Sequence, residues 1–119
     1  AIVNYMEGNY DKSSKLCRES LASQVPDPKI HFLYGLNLIQ MDSLQKAIQQ
    51  FNITSSFPLE KDSNLYLSVY WHESLCYLAM SRPDSALLSL DMINDVEKGR
   101  VQGIDVEGVI EGINRLRGE

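Results

Sequence analysis

Apolar residues recur at three- and four-residue spacings along most of this chain, and clusters of turn-forming residues interrupt them. This spacing is typical of amphipathic helices, whereas a half-buried strand would alternate apolar and polar residues. The pattern predicts helices over residues 10–24, 29–40, 44–54, 65–80 and 85–94, and a final amphipathic helix over residues 104–117. The predicted fold class is therefore all-α, with short turns between the helices.

Residues 66–71 are the segment that most resembles a buried strand. They include aromatic and β-branched residues, which are enriched in strands. The apolar run continues to Met80 without a Gly or a Pro, however, so its length favours a helix.

Short polar residues mark the expected starts of the later helices. Candidate N-caps of the helix over residues 65–80 are Asp62, Ser63 and Asn64. Pro83 suits the first turn of the next helix, where its missing N–H costs nothing. Asp105 is the candidate cap of the last helix, with Ile104 packing on Val109 as a hydrophobic staple. Glycines weaken this last helix, so we expect it to depend on docking against the preceding helices.

Three segments of the chain align with one another: residues 8–13, 42–47 and 81–86. The first step of this alignment runs from Ser13 to Ala47 and matches the period of about 34 residues that is the signature of the tetratricopeptide repeat, a helix-turn-helix unit. The second step, from Ala47 to Ala86, is slightly longer than the first. The extra length fits the polar stretch around residues 59–63, which indicates a lengthened loop.

The spacing of small and large residues resembles the same family. The motif G-x-x-Y followed by A-x-x-x-F is matched by Gly35, Leu38, Ala47 and Phe51, with Leu in place of Tyr. The next repeat places Ser74, Tyr77, Ala86 and Leu90 at these positions. The sequence departs from the family in lacking the aromatic residue near His31 and in displacing the closing Pro to Pro58. Small residues let two helices approach closely and large ones fill the gap between them, so Ala47, Phe51, Ala86 and Leu90 should be buried.

The resemblance to tetratricopeptide-repeat proteins implies a right-handed superhelical solenoid with a C-terminal capping helix. The chain then forms a single domain over residues 1–119. Its parts are a partial repeat 1 over residues 1–27, repeat 2 over 28–61, repeat 3 over 62–100 and the capping helix over 104–117. Bacterial members of the family occur on both sides of the inner membrane, so the localisation stays open between cytoplasm and periplasm. Since the chain begins without Met and within a helical pattern, we expect a fragment of a longer protein.

The resemblance also implies a binding scaffold whose concave groove is lined by the first helix of each repeat. The groove positions are Phe32, Leu36 and Ile39 in repeat 2, and Trp71, Leu75 and Leu78 in repeat 3. Family members that clamp an acidic C-terminal peptide tail use Lys, Arg and Asn at such positions, whereas these six are apolar. The expected ligand is therefore an apolar peptide or helix of a partner protein. The alternatives are a second copy in a homodimer, a segment absent from this fragment, or an accessory regulatory role in a longer, membrane-tethered protein.

Motifs of catalysis and of cofactor or metal binding are absent from the sequence, so the prediction is a protein that is not an enzyme. Cys17 and Cys76 are far apart and fit core positions as free thiols. His31 fits a helix-packing position, and His72 fits a surface or interface position. The net charge of −5 and scattered basic residues argue against a nucleic-acid partner. No apolar run reaches about 18 residues, so no direct membrane contact is expected of this fragment.

Overall fold

The structure is a computed structural model that describes residues 2–23, 25, 27–60, 63–94, 100–101, 104–116 and 118. Its helices are α1 (Ile2–Met6), α2 (Tyr10–Ser23), α3 (Pro28–Gln40), α4 (Leu44–Ser56), α5 (Asn64–Ala79), α6 (Pro83–Asn94) and α7 (Val106–Leu116). Two short strands, β1 (Arg100–Val101) and β2 (Ile104–Asp105), pair antiparallel between α6 and α7. The predicted all-α class is confirmed, and the boundaries of the six predicted helices differ by at most two residues. Among the described residues, no helix combines the length and the hydropathy that a membrane-spanning helix needs.

The chain divides into two compact units, unit 1 (Ala1–Pro58) and unit 2 (Leu59–Glu119). In unit 1, α1 packs on α2, α2 on α3 and α3 on α4. In unit 2, α5 packs on α6 and α6 on α7. Contacts between successive helices are what a chain of helical hairpins requires. The boundary between the units lies close to the predicted boundary between repeats 2 and 3.

Side-chain caps explain where three helices begin. Asp27 precedes α3, and its carboxylate accepts a hydrogen bond from the Lys29 N–H at 2.9 Å. Ser63 caps α5, as its hydroxyl oxygen accepts from the Tyr66 N–H at 3.2 Å. The Asp105 carboxylate accepts from the N–H of Gly108 in the first turn of α7 at 3.2 Å. Each cap satisfies an N–H that has no partner inside its helix.

The other predicted helix starts have mixed outcomes. Pro83 is the first residue of α6, as predicted. Asn64 is the first residue of α5 and not its cap. Asp62 lies outside the described residues, and so does the side chain of Ile104 with its predicted packing on Val109. The last helix begins two residues later than predicted, because Ile104 and Asp105 pair with β1 and Asp105 is itself the cap.

Three helix ends share one turn geometry. Each turn contains a residue with positive φ: Gly8 at 82°, Asp42 at 62° and Ser81 at 58°. In each, the next N–H donates to a carbonyl of the preceding turn: Asn9 to Asn4 at 2.7 Å, Ser43 to Leu38 at 2.8 Å and Arg82 to Tyr77 at 2.8 Å. This is the Schellman arrangement, which satisfies carbonyls at a helix end. The three turns lie at equivalent positions of the three aligned segments, so the sequence repeat is also a structural one.

We expect Ser81→Gly to raise the free energy of unfolding by about 1 kcal/mol, because a β-carbon is strained at positive φ and glycine is not. Urea unfolding followed by circular dichroism measures the change. Ser85→Gly is the matched control, since Ser85 lies inside α6. There the same substitution should lower the free energy of unfolding by about 0.5 kcal/mol, since glycine is a poor helix former. Equal changes in both variants would contradict the assigned turn.

The α3–α4 hairpin is closed by a large ring packed over a glycine. Ala47 and Phe51 are fully buried on α4. A β-carbon added to Gly35 on α3 would come within 2.8 Å of Cδ1 of the Phe51 ring. Only glycine therefore lets the ring pack this closely against α3, and the predicted burial of Ala47 and Phe51 is confirmed.

The α5–α6 hairpin repeats this arrangement with different side chains. Ala86 and Leu90 are fully buried, as predicted, and Ser74 lies fully buried at the position equivalent to Gly35. The Ser74 hydroxyl donates to the Trp71 carbonyl at 2.6 Å within α5. Leu90 is smaller than Phe51, and Ser74 is larger than Gly35. The two pairs therefore have similar total volumes.

Helix α7 completes the core of unit 2. Val106 and Ile113 are buried in one cluster with Leu90, Ile93 and Trp71. Val109 and Ile110 pack against the same cluster. The predicted docking of the last helix is confirmed within unit 2, where burial of its apolar face compensates for two helix-weakening glycines.

Candidate functional site

The predicted groove residues of repeat 2 form one stripe on α3. Phe32, Leu36 and Ile39, together called the α3 stripe, follow one another at steps of four and three residues and are all half-buried. The Phe32 ring lies 5.7 Å from the Phe51 ring, centroid to centroid, so it also contributes to the core of the hairpin. Leu36 and Ile39 are the members of the stripe that a binding test can change with least damage to this ring pair.

Helix α3 is only partly covered within the structure. Its buried residues are Gly35, Asn37 and Leu38. Six larger apolar residues remain half-buried: Ile30, Phe32, Leu33, Tyr34, Leu36 and Ile39. A helix that is apolar on nearly all sides is normally buried on all sides. The partial exposure of α3 therefore marks unit 1 as a candidate interaction surface.

The predicted groove residues of repeat 3 differ in exposure. Trp71, Leu75 and Leu78 form the α5 stripe, which belongs to unit 2. Leu75 is 41% exposed, whereas Leu78 is half-buried against the core cluster of unit 2. Trp71 is only 8% exposed and is a member of that cluster. Replacing Trp71 would therefore change stability, and Leu75 is the member of this stripe suited to a binding test.

Glu73 is not among the residues that the sequence predicts for a site, and it lines a pocket between α5 and α6. The pocket has a volume of about 310 Å³ and is lined by Tyr70, Glu73, Tyr77, Ser85, Leu88, Ser89 and Met92. We call it the Glu73 pocket. Glu73 is 5% exposed, and its Oε2 atom has no hydrogen-bond partner. Burial raises the pKa of this carboxyl from 4.5 to about 7.

A sequence signal for this pocket exists but is weak. Tyr70, Glu73 and Tyr77 are separated by three and four residues, which places them on one face of a helix. A carboxylate between two aromatic residues on a largely apolar helix is the pattern that could have identified the pocket. A solvated face would have the same spacing, so the sequence alone does not distinguish a buried Glu73 from an exposed one.

A second buried polar side chain lies in unit 1. Asn37 is fully buried, and its Nδ2 donates to the Ser13 hydroxyl at 2.9 Å and to the Leu33 carbonyl at 3.0 Å. The bond to Ser13 joins α3 to α2, while the Oδ1 atom of Asn37 has no hydrogen-bond partner. Two donated bonds assign Asn37 to the packing of unit 1.

Each of the two histidines donates a hydrogen bond within its own unit. His31 Nδ1 donates to Gln50 Oε1 at 2.8 Å and so joins α3 to α4, which agrees with the predicted packing role. His72 is half-buried, and its Nδ1 donates to the Ser68 carbonyl at 2.7 Å. Burial lowers the pKa of His72, while the bond to Ser68 acts in the opposite direction.

Both cysteines are buried free thiols. Burial raises the pKa of Cys17, and it raises that of Cys76 to about 11 with a further contribution from the Glu73 charge. A thiol with a raised pKa is a poor nucleophile at neutral pH, because the thiolate is the reactive form. In the part of the chain that the structure describes, no group of three or more His, Cys, Asp or Glu residues is placed to hold a metal ion.

Comparisons of this chain with models of protein families, with curated proteins and with solved structures gave no match.

Proposed function

We propose that this chain is a protein–protein interaction scaffold of the tetratricopeptide-repeat type, and that it binds an apolar peptide or helix of a partner protein. In this proposal the hairpins continue as the right-handed solenoid that the family resemblance implies. The α3 stripe of unit 1 and the exposed Leu75 of unit 2 provide apolar contacts to the partner.

The observation that carries the proposal is the incomplete burial of α3. Six large apolar side chains remain half-buried on one helix of 13 residues. Contiguous apolar surface on a folded protein is a frequent site of protein binding, because a partner removes it from water. An amphipathic helix with apolar residues at three- and four-residue steps fits such a surface.

The repeated turns support the same function. Helical hairpins that recur along a chain present extended surfaces, and each hairpin contributes a similar set of positions. The turns at Gly8, Asp42 and Ser81 show that this chain repeats the hairpin end with the same hydrogen bonds. The side chains on the hairpins differ between units, which is where partner specificity would arise.

The test is selection of binding peptides and measurement of their affinity. A displayed library of random peptides, each long enough for about four helical turns, is selected on the immobilised protein. Fluorescence anisotropy then gives the dissociation constants of the enriched peptides. We expect amphipathic sequences with apolar residues at helical spacing. Leu36→Glu, made alone, should raise the dissociation constant of peptides that contact unit 1 by about tenfold or more. Leu75→Glu, made alone, should do the same for peptides that contact unit 2.

Ile53→Glu is the matched control for Leu36→Glu. Ile53 is 39% exposed on α4 of the same unit, and the substitution introduces the same charge. An equal loss of affinity in the control and in Leu36→Glu would contradict the α3 stripe as the binding surface. Sedimentation velocity of the wild type over a range of concentrations tests a second copy as the occupant. If the wild type forms a dimer and Leu36→Glu is a monomer, the α3 stripe binds a second copy of this chain and not a partner peptide.

A further inference from the structure

The Glu73 pocket lies wholly in unit 2 and is separate from the α3 stripe. Its wall on α5 consists of Tyr70, Glu73 and Tyr77, which share one helix face. Its wall on α6 consists of two serines, Ser85 and Ser89, and two apolar residues, Leu88 and Met92. The pocket thus combines one acid, two tyrosines, two serines and two apolar side chains in about 310 Å³.

Glu73 is an exception to the rule that buried charges are paired. Its side chain is 5% exposed, and Oε2 has no hydrogen-bond partner. Burying an unpaired carboxylate is costly, and buried polar groups in folded proteins almost always have partners. Oε2 itself is closed to solvent, but Glu73 lines the pocket, so a cation in the pocket would lie close to a carboxylate whose charge is uncompensated.

The charge of Glu73 is not neutralised by its surroundings. The lining residues that the structure describes include no Lys or Arg. The negative charge contributes to raising the pKa of both Cys76 and Tyr77, since it opposes a second negative charge nearby. Arg82 opposes this effect at Tyr77, although it is not one of the lining residues. A ligand in this pocket would therefore encounter a negative field.

The other lining residues restrict the chemistry of the cation. Tyrosine rings attract cations through their negative faces, and this favours organic cations that also tolerate an apolar surface. Leu88 is 70% exposed and Met92 is 46% exposed, so both can pack against an alkyl chain as it enters. A calcium ion needs six to eight oxygen ligands, whereas this pocket offers one carboxylate. A carboxylate with one oxygen closed to solvent suits the point charge of an ammonium better than the planar fork of a guanidinium, which prefers two accessible oxygens.

We propose that the Glu73 pocket binds an alkylammonium group, carried either by a free amine or by a lysine side chain. The ammonium pairs with the Glu73 carboxylate and lies against Tyr70 and Tyr77, and the alkyl chain packs on Leu88 and Met92. The inference goes beyond the proposed scaffold function, because the pocket can bind a small amine whether or not α3 binds a peptide.

The repeat provides an internal comparison for this site. When Gly35 is aligned with Ser74, the residue equivalent to Glu73 is Tyr34 on α3, and the residue equivalent to Tyr77 is Leu38. The α3–α4 hairpin therefore has no acid at the corresponding position. Cation binding should occur in unit 2 and not at the equivalent face of unit 1.

The experiment is an NMR titration of the whole chain at pH 8 and constant ionic strength, with n-butylammonium chloride as the probe. We expect saturable shifts of the backbone amides of α5 and α6 around the pocket, and no saturable shifts on α3 or α4. Glu73→Gln should raise the dissociation constant of n-butylammonium about tenfold or more, since the amide removes the charge and keeps the shape of the side chain. The neutral probe n-butanol should bind the wild type more weakly than n-butylammonium does. Its affinity should be the same for the wild type and for Glu73→Gln.

Glu60→Gln controls for the loss of one negative charge, because Glu60 is exposed and does not line the pocket. This variant should bind n-butylammonium as the wild type does. A second probe, N-acetyl-lysine N-methylamide, separates the two sources of the ammonium. Binding as tight as that of n-butylammonium assigns the site to lysine side chains, and binding of n-butylammonium alone assigns it to free amines.

Three results would overturn the inference. The first is equal affinity of n-butylammonium for the wild type and for Glu73→Gln. The second is equal affinity of n-butylammonium and n-butanol for the wild type, which would make the pocket an apolar cleft. The third is the absence of saturable shifts in α5 and α6. Each of these leaves the peptide-binding proposal for α3 untouched, so the two proposals fail separately.

Discussion

Gly35→Ala should lower the free energy of unfolding by about 2–3 kcal/mol, although Ala is the better helix former. The added β-carbon would come within 2.8 Å of the Phe51 ring, far inside van der Waals contact. Phe51 is fully buried, so the ring has no space to move into without shifting α4 against α3. Overpacking of this kind costs more than the gain of about 1 kcal/mol in helix propensity.

The size of Phe51 causes this penalty, so a smaller side chain there should relieve it. Phe51→Leu alone should cost about 1–2 kcal/mol through lost contacts and a small cavity. In the double variant Gly35→Ala with Phe51→Leu, the new methyl group fills part of the space that the ring leaves. We therefore expect the double variant to be more stable than the sum of the two single changes predicts, by about 1 kcal/mol or more.

Unit 2 contains the natural precedent for this exchange, with Ser74 and Leu90 in place of Gly35 and Phe51. Urea unfolding of the wild type, both single variants and the double variant gives the coupling free energy. Strict additivity would show that the glycine and the ring do not share the interface that the structure assigns to them.

Glu73→Gln should raise the free energy of unfolding by roughly 2 kcal/mol at pH 8 and change it little at pH 4. The pKa of this carboxyl rises from 4.5 to about 7 on folding, because burial disfavours the charged form. Below pH 4.5 the group is protonated in both states and carries no penalty. As the pH rises from 4.5 to about 7, the unfolded chain ionises first, so the wild type loses stability.

The full pKa difference corresponds to about 3 kcal/mol above pH 7, and solvent in the open pocket reduces this value. The pocket that Glu73 lines also contains two tyrosines on α5 and two serines on α6, and the charge of Glu73 acts on Cys76. The Cys76 thiol stays protonated in this range, because its own pKa is raised to about 11. Burial also lowers the pKa of His72 from 6.5, and stability rises as His72 loses its proton, which is the opposite direction. The difference between the wild type and Glu73→Gln therefore isolates the loss of stability caused by Glu73.

Trp71 is the only tryptophan in the chain and lies in the core of unit 2, so its fluorescence during urea unfolding measures the stability of that unit. Glu60→Gln removes the same charge from an exposed position and should lack this pH dependence. If Glu73→Gln lowered stability at pH 8, the carboxylate would have a partner that compensates for its burial.

The helices and turns follow from local features of the sequence. Apolar spacing predicts each helix from residue 10 onward, and the caps at Ser63 and Asp105 form as their positions suggest. The hairpin pairs were also predictable, since a small residue must face a large one at a fixed step. Ala47 and Phe51 illustrate this, as both are fully buried. Such features involve residues of the same helix or of the next one, so the sequence is informative about them.

The chemistry of unit 2 required the tertiary structure. The family resemblance places Trp71 in a groove, but its actual exposure depends on Leu90, Val106 and Ile113, which come from two later helices. Glu73 has a spacing that suits a solvated face as well as a buried one. Its raised pKa arises because α6 packs across it and excludes water. Burial and desolvation are properties of everything that surrounds a side chain, so neighbours distant in sequence decide them, whereas periodicity and capping depend on residues nearby in the chain.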